Sequence, residues 1–224
     1  MVALNQLSYP PHVGENGIWS QQVRPLDGTA RPALFLDRDG VLVEEVHYLH
    51  RVEDVRLIKN AVDVIKVSNQ LQIPVIVVTN QSGIGRGIYT WEDFAAVQNT
   101  MLSAFASQGA FVDAVYACPF HRAGKSPWNV VDHPDRKPGP GMLFRAAVKL
   151  QIRLNESWIV GDRADDIKAG KNAGLAGGLH VLSGHGDRDG ERSAALEHGD
   201  NKFHVYTGDD IGSASVKLPL LIKI

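Results

Sequence analysis

Short apolar runs recur along this chain, separated by stretches whose apolar positions fall at helical spacing. Ala33–Leu36, Val75–Thr79, Asp113–Ala117, Ser157–Gly161 and Gly178–Leu182 read as buried strands, and Phe203–Tyr206 as a further one. Between them, Ala61, Val64, Ile65 and Val67 to Leu71 predict a helix that Asn60 would cap and that Ile73 and Pro74 break. Thr90, with Asp93 three residues on, predicts the start of a helix that buries Phe94, Val97, Met101, Leu102 and Phe105 and stops at Gln108-Gly109. Two more are expected, from Pro140 to Leu150 and from about Asp165 to Asn172, the latter closing at Gly174. Val41–Tyr48 is β-prone and reads as a small hairpin or flap.

This β/α alternation predicts an α/β fold: a doubly wound, parallel, Rossmann-like sheet with helices on both faces and a minimal or absent cap domain. Residues 1–31 mix Pro, Gly, Asn, Gln and Ser and read as an irregular arm, with residues 32–224 as one domain. Residues 118–140 hold five prolines and form a long ordered loop, a length that tends to carry function. Residues 184–201 are polar and glycine-rich and read as a surface excursion, and the apolar tail from Val216 to Ile224 has no assigned place.

Composition adds bounds. The 224 residues are 44% hydrophobic and 21% charged, an ordinary globular composition. Twenty-three Lys and Arg against 25 Asp and Glu leave a net charge of -2, which gives no bulk reason to expect a nucleic-acid or membrane partner. Cys118 is the only cysteine, so no internal disulfide can form. No signal-like N-terminus or membrane-length apolar run is present, and a cytoplasmic monomer is expected.

Three predicted strands end in chemistry-bearing residues: Asp37 and Asp39, Thr79 and Asn80, and Asp162. In open parallel sheets the ligand crevice lies beyond the C-terminal strand ends, so these distant residues should converge, joined by Lys137 from the loop before a helix. By itself Asp37-Arg-Asp-Gly40 is equally a polar turn. With the other residues it is three carboxylates, a hydroxyl, an amide and a lysine. Crowded carboxylates repel, so the site wants a cation or shares a proton, and oxygen ligands suit Mg²⁺. Mg²⁺ and Lys137 would neutralise phosphate oxygens, while Thr79 and the amides after Asp37 donate hydrogen bonds: the equipment of phosphoryl transfer.

The sequence resembles the haloacid dehalogenase superfamily in its phosphatase branch. The resemblance is carried by Asp37-Arg-Asp-Gly40, Thr79 after a hydrophobic strand, Lys137 in Arg136-Lys-Pro-Gly-Pro-Gly-Met142, and Gly161-Asp-Arg-Ala-Asp-Asp166. Leu36–Val41, Thr79-Asn-Gln-Ser-Gly-Ile-Gly-Arg-Gly87 and Cys118-Pro resemble the subfamily of D-glycero-D-manno-heptose 1,7-bisphosphate and histidinol-phosphate phosphatases. The resemblance implies that Asp37 is a nucleophile forming an aspartyl-phosphate and that Asp39 is the acid, then the base. It implies Mg²⁺ held by Asp37, Asp162 and the backbone carbonyl of Asp39, with Lys137 orienting Asp37. Thr79 and Asn80 would bind the phosphate, and Gln81, Arg86 and Arg136 are further substrate-binding candidates. Asp166 and Arg163 would support the site. The partner implied is a small phosphate ester, a heptose bisphosphate first, with histidinol phosphate or another polyol phosphate as the alternative.

Two other classes remain. A receiver-type signalling module also sets Asp, Thr and Lys at strand ends over Mg²⁺, but lacks an acid two residues after the acceptor, where Asp39 stands. A nucleic-acid 3′-phosphatase shares a Thr-Asn-Gln signature, against which the near-neutral charge argues. Many members of the subfamily carry a zinc loop, Cys-x-His followed by Cys-x-Cys. Here Cys118-Pro-Phe-His121 has no later cysteine. Cys118, His121 and His133, with Asp132 or Asp135, make a poor ligand set, and a structural zinc is not expected.

Overall fold

Leu34–Leu36, three apolar residues with no exposed member, lies at the middle of a seven-stranded sheet in the computed structural model, which describes residues 11–222. In chain order the strands are β1 (Trp19–Gln22), β2 (Leu34–Leu36), β3 (Val75–Asn80), β4 (Ala114–Cys118), β5 (Trp158–Gly161), β6 (Gly177–Val181) and β7 (His204–Gly208). Their spatial order is β1-β4-β3-β2-β5-β6-β7. All neighbours are parallel except β1 on β4. Leu34 lies beside both Val75 and Trp158, so β2, β3 and β5 run in register and end at one edge.

Strand alternation sends Leu34, Leu36, Val75 and Val77 to one face and Phe35, Ile76 and Val78 to the other. On the first face pack α1 (Ala61–Gln70), through Val64 and Ile65, and, following the short α2 (Ser82–Arg86), α3 (Trp91–Ala106), through Phe94, Val97, Met101 and Phe105. On the second pack α4 (Gly141–Leu150), through Met142, Leu143, Ala146 and Leu150, and α5 (Ala164–Asn172), through Ile167 and Ala169. The doubly wound α/β architecture read from the sequence is therefore present, and among the described residues no separate cap domain interrupts it. Among the described residues no helix is long and apolar enough to cross a membrane.

Local chemistry explains most boundaries. Thr90 and Asp93 form a reciprocal capping box, Asp93 N–H donating to Thr90 Oγ1 and Thr90 N–H to Asp93 Oδ2. Asn60 stands before α1 but makes no side-chain cap; its Nδ2 donates instead to Asp210 Oδ2 at 2.7 Å. The expected flap at 41–48 forms no strand. Isolated bridges tie Asp39 to Val43 and Val43 to Leu57, so it is an irregular loop pinned at its base. The polar stretch at 184–201 contains a short helix, α6 (Glu191–Leu196). Beyond α7 (Ala214–Lys217), Leu218 and Leu221 pack into the core, which places the tail as far as it is described.

The expected irregular arm is corrected over Trp19–Gln22, which is an antiparallel edge strand; residues 1–10 of that expectation lie outside the described residues. Its anchor is Trp19, stacked on Trp91 at 5.7 Å and edge-on to Phe94 at 5.1 Å. Truncating a buried Trp leaves a cavity its neighbours fill only in part. Trp19→Ala should cost about 3–5 kcal/mol in urea unfolding. A loss below ~1 kcal/mol would mean that the arm merely rests on the domain.

Candidate active site

The parallel strands deliver their C-terminal residues to one cavity of about 310 Å³. Asp37 follows β2, with its N–H bonded to Val160 O at 3.0 Å, and Thr79 and Asn80 end β3. Asp162 follows β5, and Asp166 lies in the first turn of α5. The backbone turns at once after Asp37: Arg38 O accepts from Leu42 and Val43 N–H, and Gly40 takes φ +82°. Extension past Asp37 therefore stops, yet Asp37 and Asp39 line the same cavity.

Lys137 is the ionic hub. Its buried Nζ lies 2.7 Å from Asp37 Oδ1, 2.6 Å from Asp166 Oδ1 and 2.7 Å from Val78 O. Oxygens of Asp37, Asp162 and Asp166 all lie within 4.8 Å of one another. The approach of Asp37 to Asp162 is close enough for one shared ion. One ammonium cannot balance three buried carboxylates. Burial pushes Asp37 up to about 7, Lys137 pulling it down and Asp166 and Asp39 raising it further. Asp162 rises to about 8 through burial and the charges of Asp37 and Asp166. Lys137, despite its burial, is held charged by Asp166 and Asp37. Hard oxygen donors with surplus negative charge fit a hard divalent cation. The backbone also leaves Asp162 no alternative space: a Cβ on Gly40 or Gly184 would come within 2.5 or 2.3 Å of its Oδ2.

Asp39 sits in a different environment. Arg38 Nε and Nη2 grip its carboxylate at 2.9–3.2 Å, and Gln81 Nε2 donates to Oδ2 at 2.9 Å. Gln81 also donates to Thr79 Oγ1 at 2.8 Å, while its Oε1 accepts from Arg38 and from the Tyr89 hydroxyl.

Asn80 and Gln81 both line the cavity, with amides engaged by the protein. Asn80 turns both ends of its amide to the backbone of Lys137, at 3.0 Å each, and so supports the Lys137 segment. Gln81 is buried and spent on Asp39, Thr79, Arg38 and Tyr89. Arg86, Arg136 and Arg163 also reach the cavity wall. Arg136 donates one N–H to Phe120 O at 3.2 Å, and Arg86 bonds the Tyr48 hydroxyl. Asp166 carries Lys137 on Oδ1 and accepts from Arg163 N–H on Oδ2, the place of a supporting residue.

Sequence reasoning missed Arg38, Tyr89 and the segment Ser183–His185. His185 N–H donates to Asp162 Oδ2 at 2.7 Å, and Ser183 Oγ to Gly40 O at 2.6 Å. That segment is site wall and not surface excursion. It follows an apolar strand like the others, and the strand-end rule applied to β6 would have found it.

The 118–140 loop is held without clustered metal ligands. Cys118 is buried in the sheet, and burial pushes its thiol up to about 12. The His133 ring stacks on Phe120 at 3.8 Å, and its Nδ1 accepts from Asp135 N–H. His121 Nδ1 accepts from Ala123 N–H. Asp135 is gripped by Arg145 at 2.6 and 2.9 Å. Among the described residues the grouped metal-ligating side chains are Asp37, Asp162 and Asp166.

Comparison with known proteins agrees with this geometry. A family model described as HAD-hydrolase-like matches residues 135–206. The chain is 44% identical over 173 residues to a Mesorhizobium japonicum protein named D-glycero-beta-D-manno-heptose-1,7-bisphosphate 7-phosphatase, covering 76% of this chain and 80% of that one. It is 38% identical over 162 residues to a Burkholderia mallei protein named D-glycero-alpha-D-manno-heptose-1,7-bisphosphate 7-phosphatase, covering 72% and 84%. A HAD-like phosphatase from Mesorhizobium loti shares the fold with a TM-score of 0.83 and 38% identity, over 94% of this chain and 96% of that one. The D,D-heptose 1,7-bisphosphate phosphatase of B. bronchiseptica, solved with magnesium and phosphate, gives 0.69 and 27%, over 84% and 97%.

The two walls predict stability effects of opposite sign. Because burial raises Asp37, the folded state holds a proton that the unfolded chain releases near pH 4. Metal-free stability should therefore fall as pH rises from about 4 through 7. Asp37→Asn removes that loss and leaves Lys137 paired with Asp166. Its Tm in chelator at pH 8 should exceed wild type by about 2–4 °C, with a smaller gain at pH 5. Asp39→Asn instead strands the buried Arg38 charge and should cost on the order of 2–3 kcal/mol. Equal Tm changes for the two variants would refute the distinction.

Proposed function

This chain belongs to the haloacid-dehalogenase-like phosphatases, and on that premise we propose that it removes the 7-phosphate of a D-glycero-D-manno-heptose 1,7-bisphosphate. The reading is carried by one observation: a buried Asp37, with one oxygen fixed by Lys137 and Asp162 close by, at the head of a cavity that Asp39 also lines. The names of relatives at 44% and 38% identity support the heptose.

Lys137 holds Asp37 Oδ1, which leaves Oδ2 to attack phosphorus. The bond from phosphorus to the sugar oxygen breaks as the bond to Asp37 forms, and Asp39 gives its proton to the departing alkoxide. Asp39, now a base, takes a proton from water. The water oxygen bonds to phosphorus, freeing Asp37 and inorganic phosphate. Mg²⁺, held by Asp37, Asp162 and the Asp39 carbonyl, would offset the charge of the reacting phosphoryl group. Thr79, on the cavity wall, offers its hydroxyl to the phosphate oxygens. Asp166 keeps Lys137 in place. Asp39 also separates this site from a stable phospho-acceptor, because it supplies the base that empties Asp37.

With no cap domain, loops must shape the sugar pocket. The cavity mouth includes Glu45, His47 and Tyr48 from one loop and His121 and Arg136 from another. Arg136 spends one N–H on Phe120 and has others free for the second phosphate of a bisphosphate.

In a phosphate-release assay with Mg²⁺, kcat/KM for heptose 1,7-bisphosphate should exceed that for histidinol phosphate by about 10²-fold, roughly 2.7 kcal/mol. Asp37→Asn should abolish turnover of both. A preference for histidinol phosphate would reject the heptose assignment. Arg136→Ala should raise KM about tenfold for the bisphosphate and less for the 7-monophosphate. Equal changes would remove Arg136 as the distal clamp.

A further inference from the structure

The middle position of Asp37-Arg38-Asp39 holds the largest fully buried side chain of the described residues. Arg38 is 1% exposed, at a position where its neighbours in sequence open into the cavity. A guanidinium so buried costs several kcal/mol of desolvation, and an apolar side chain of similar volume would fill the space at no such cost. Its placement therefore asks for a reason other than packing.

Its contacts supply one. Nε and Nη2 both grip the Asp39 carboxylate, with four contacts of 2.9–3.2 Å. Nη2 also donates to Gln81 Oε1 at 3.2 Å, and Gln81 Nε2 returns a bond to Asp39 Oδ2. The guanidinium lies 5.2 Å from the centroid of the Phe94 ring, and its buried Nη1 has no hydrogen-bond partner. The Asp39 carboxylate, by contrast, keeps 18% exposure at the cavity wall. Oδ2 is shared between Arg38 and Gln81. Oδ1 accepts from Arg38 Nε and Nη2 only, so it is the less engaged oxygen of the two.

We propose that Arg38 is the positioning residue of the acid-base step: its planar fork, wedged between Phe94 and Gln81, fixes the Asp39 carboxylate so that Oδ1 meets the leaving oxygen. The inference rests on the acid-base role given to Asp39 above. Positioning is a large part of proton-transfer catalysis, and an ammonium cannot reproduce a two-oxygen grip.

The test compares two esters by kcat/KM, which reports the steps up to departure of the leaving group and not the later hydrolysis of Asp37-phosphate. A sugar phosphate leaves as a basic alkoxide and needs the proton. 4-Nitrophenyl phosphate leaves as a stable phenolate and needs it little. Arg38→Met should lower kcat/KM for the sugar ester at least tenfold more than for the aryl ester, within the 10²–10⁴-fold worth of general acid catalysis. Arg38→Lys keeps a buried charge against Asp39 and so folds even where the Met variant does not. It should show the same selective loss, because its single ammonium cannot hold both oxygens. Asp39→Asn, measured alongside, should be at least as selective. Parallel losses on both esters in both Arg38 variants, with Asp39→Asn selective, would reduce Arg38 to a structural role and overturn the proposal alone. Parallel losses in Asp39→Asn as well would overturn the acid-base reading and this inference together.

Discussion

Three buried carboxylates share one ammonium at the C-terminal edge of the sheet, and the surrounding structure is arranged around that imbalance. Asp37, Asp162 and Asp166 lie within 4.8 Å of one another, with Lys137 bonded to two of them. Such a cluster costs folding energy at neutral pH, which burial and mutual repulsion express as raised affinities for protons at Asp37 and Asp162. The apolar strands β2, β3 and β5 bear that cost because they lie in register at the middle of a core packed on both faces. Asn80 anchors the segment that carries Lys137, and Ser183–His185 closes over Asp162.

Asp39, two residues from Asp37, lives under a different rule. It is matched one-to-one by Arg38 and braced by Gln81, on the face of the sheet where Phe94 packs. Two neighbouring carboxylates thus meet opposite surroundings: one in surplus negative charge, one paired with a fixed cation. Environment separates two chemically identical groups: the surplus negative charge around Asp37 draws a cation to it, while Asp39 is held in place by a cation of its own.

Much of this was legible in the sequence because strand ends and residue types are local signals. Apolar runs ending in Asp37, Thr79 and Asp162 announced the convergence, and the Thr90–Asp93 spacing announced its capping box. What escaped depends on where a side chain turns. Asn80 and Gln81 were identified as site residues, but their amides are spent on protein partners that no spacing reveals. Arg38 reads as a solvated charge until the turn at Gly40 folds it inward. That the arm packs through Ile18 and Trp19 can be expected from their apolar character, but not that Trp91 and Phe94, more than seventy residues on, receive Trp19. The 118–140 loop, where no structural zinc is expected, has Phe120 stacked on His133 and Arg145 gripping Asp135, contacts that no spacing announces.

The central claim, that the cluster is a cation site kept short of positive charge, is tested most directly by calorimetric titration of the metal-free protein with Mg²⁺ at pH 7 in two buffers of different ionisation heat. With Asp37 near 7 and Asp162 near 8, Mg²⁺ should expel roughly one proton on binding, so the observed heat should depend on the buffer. The apparent affinity should tighten from pH 6 to pH 8. A buffer-independent heat with an affinity flat across that range would contradict the account.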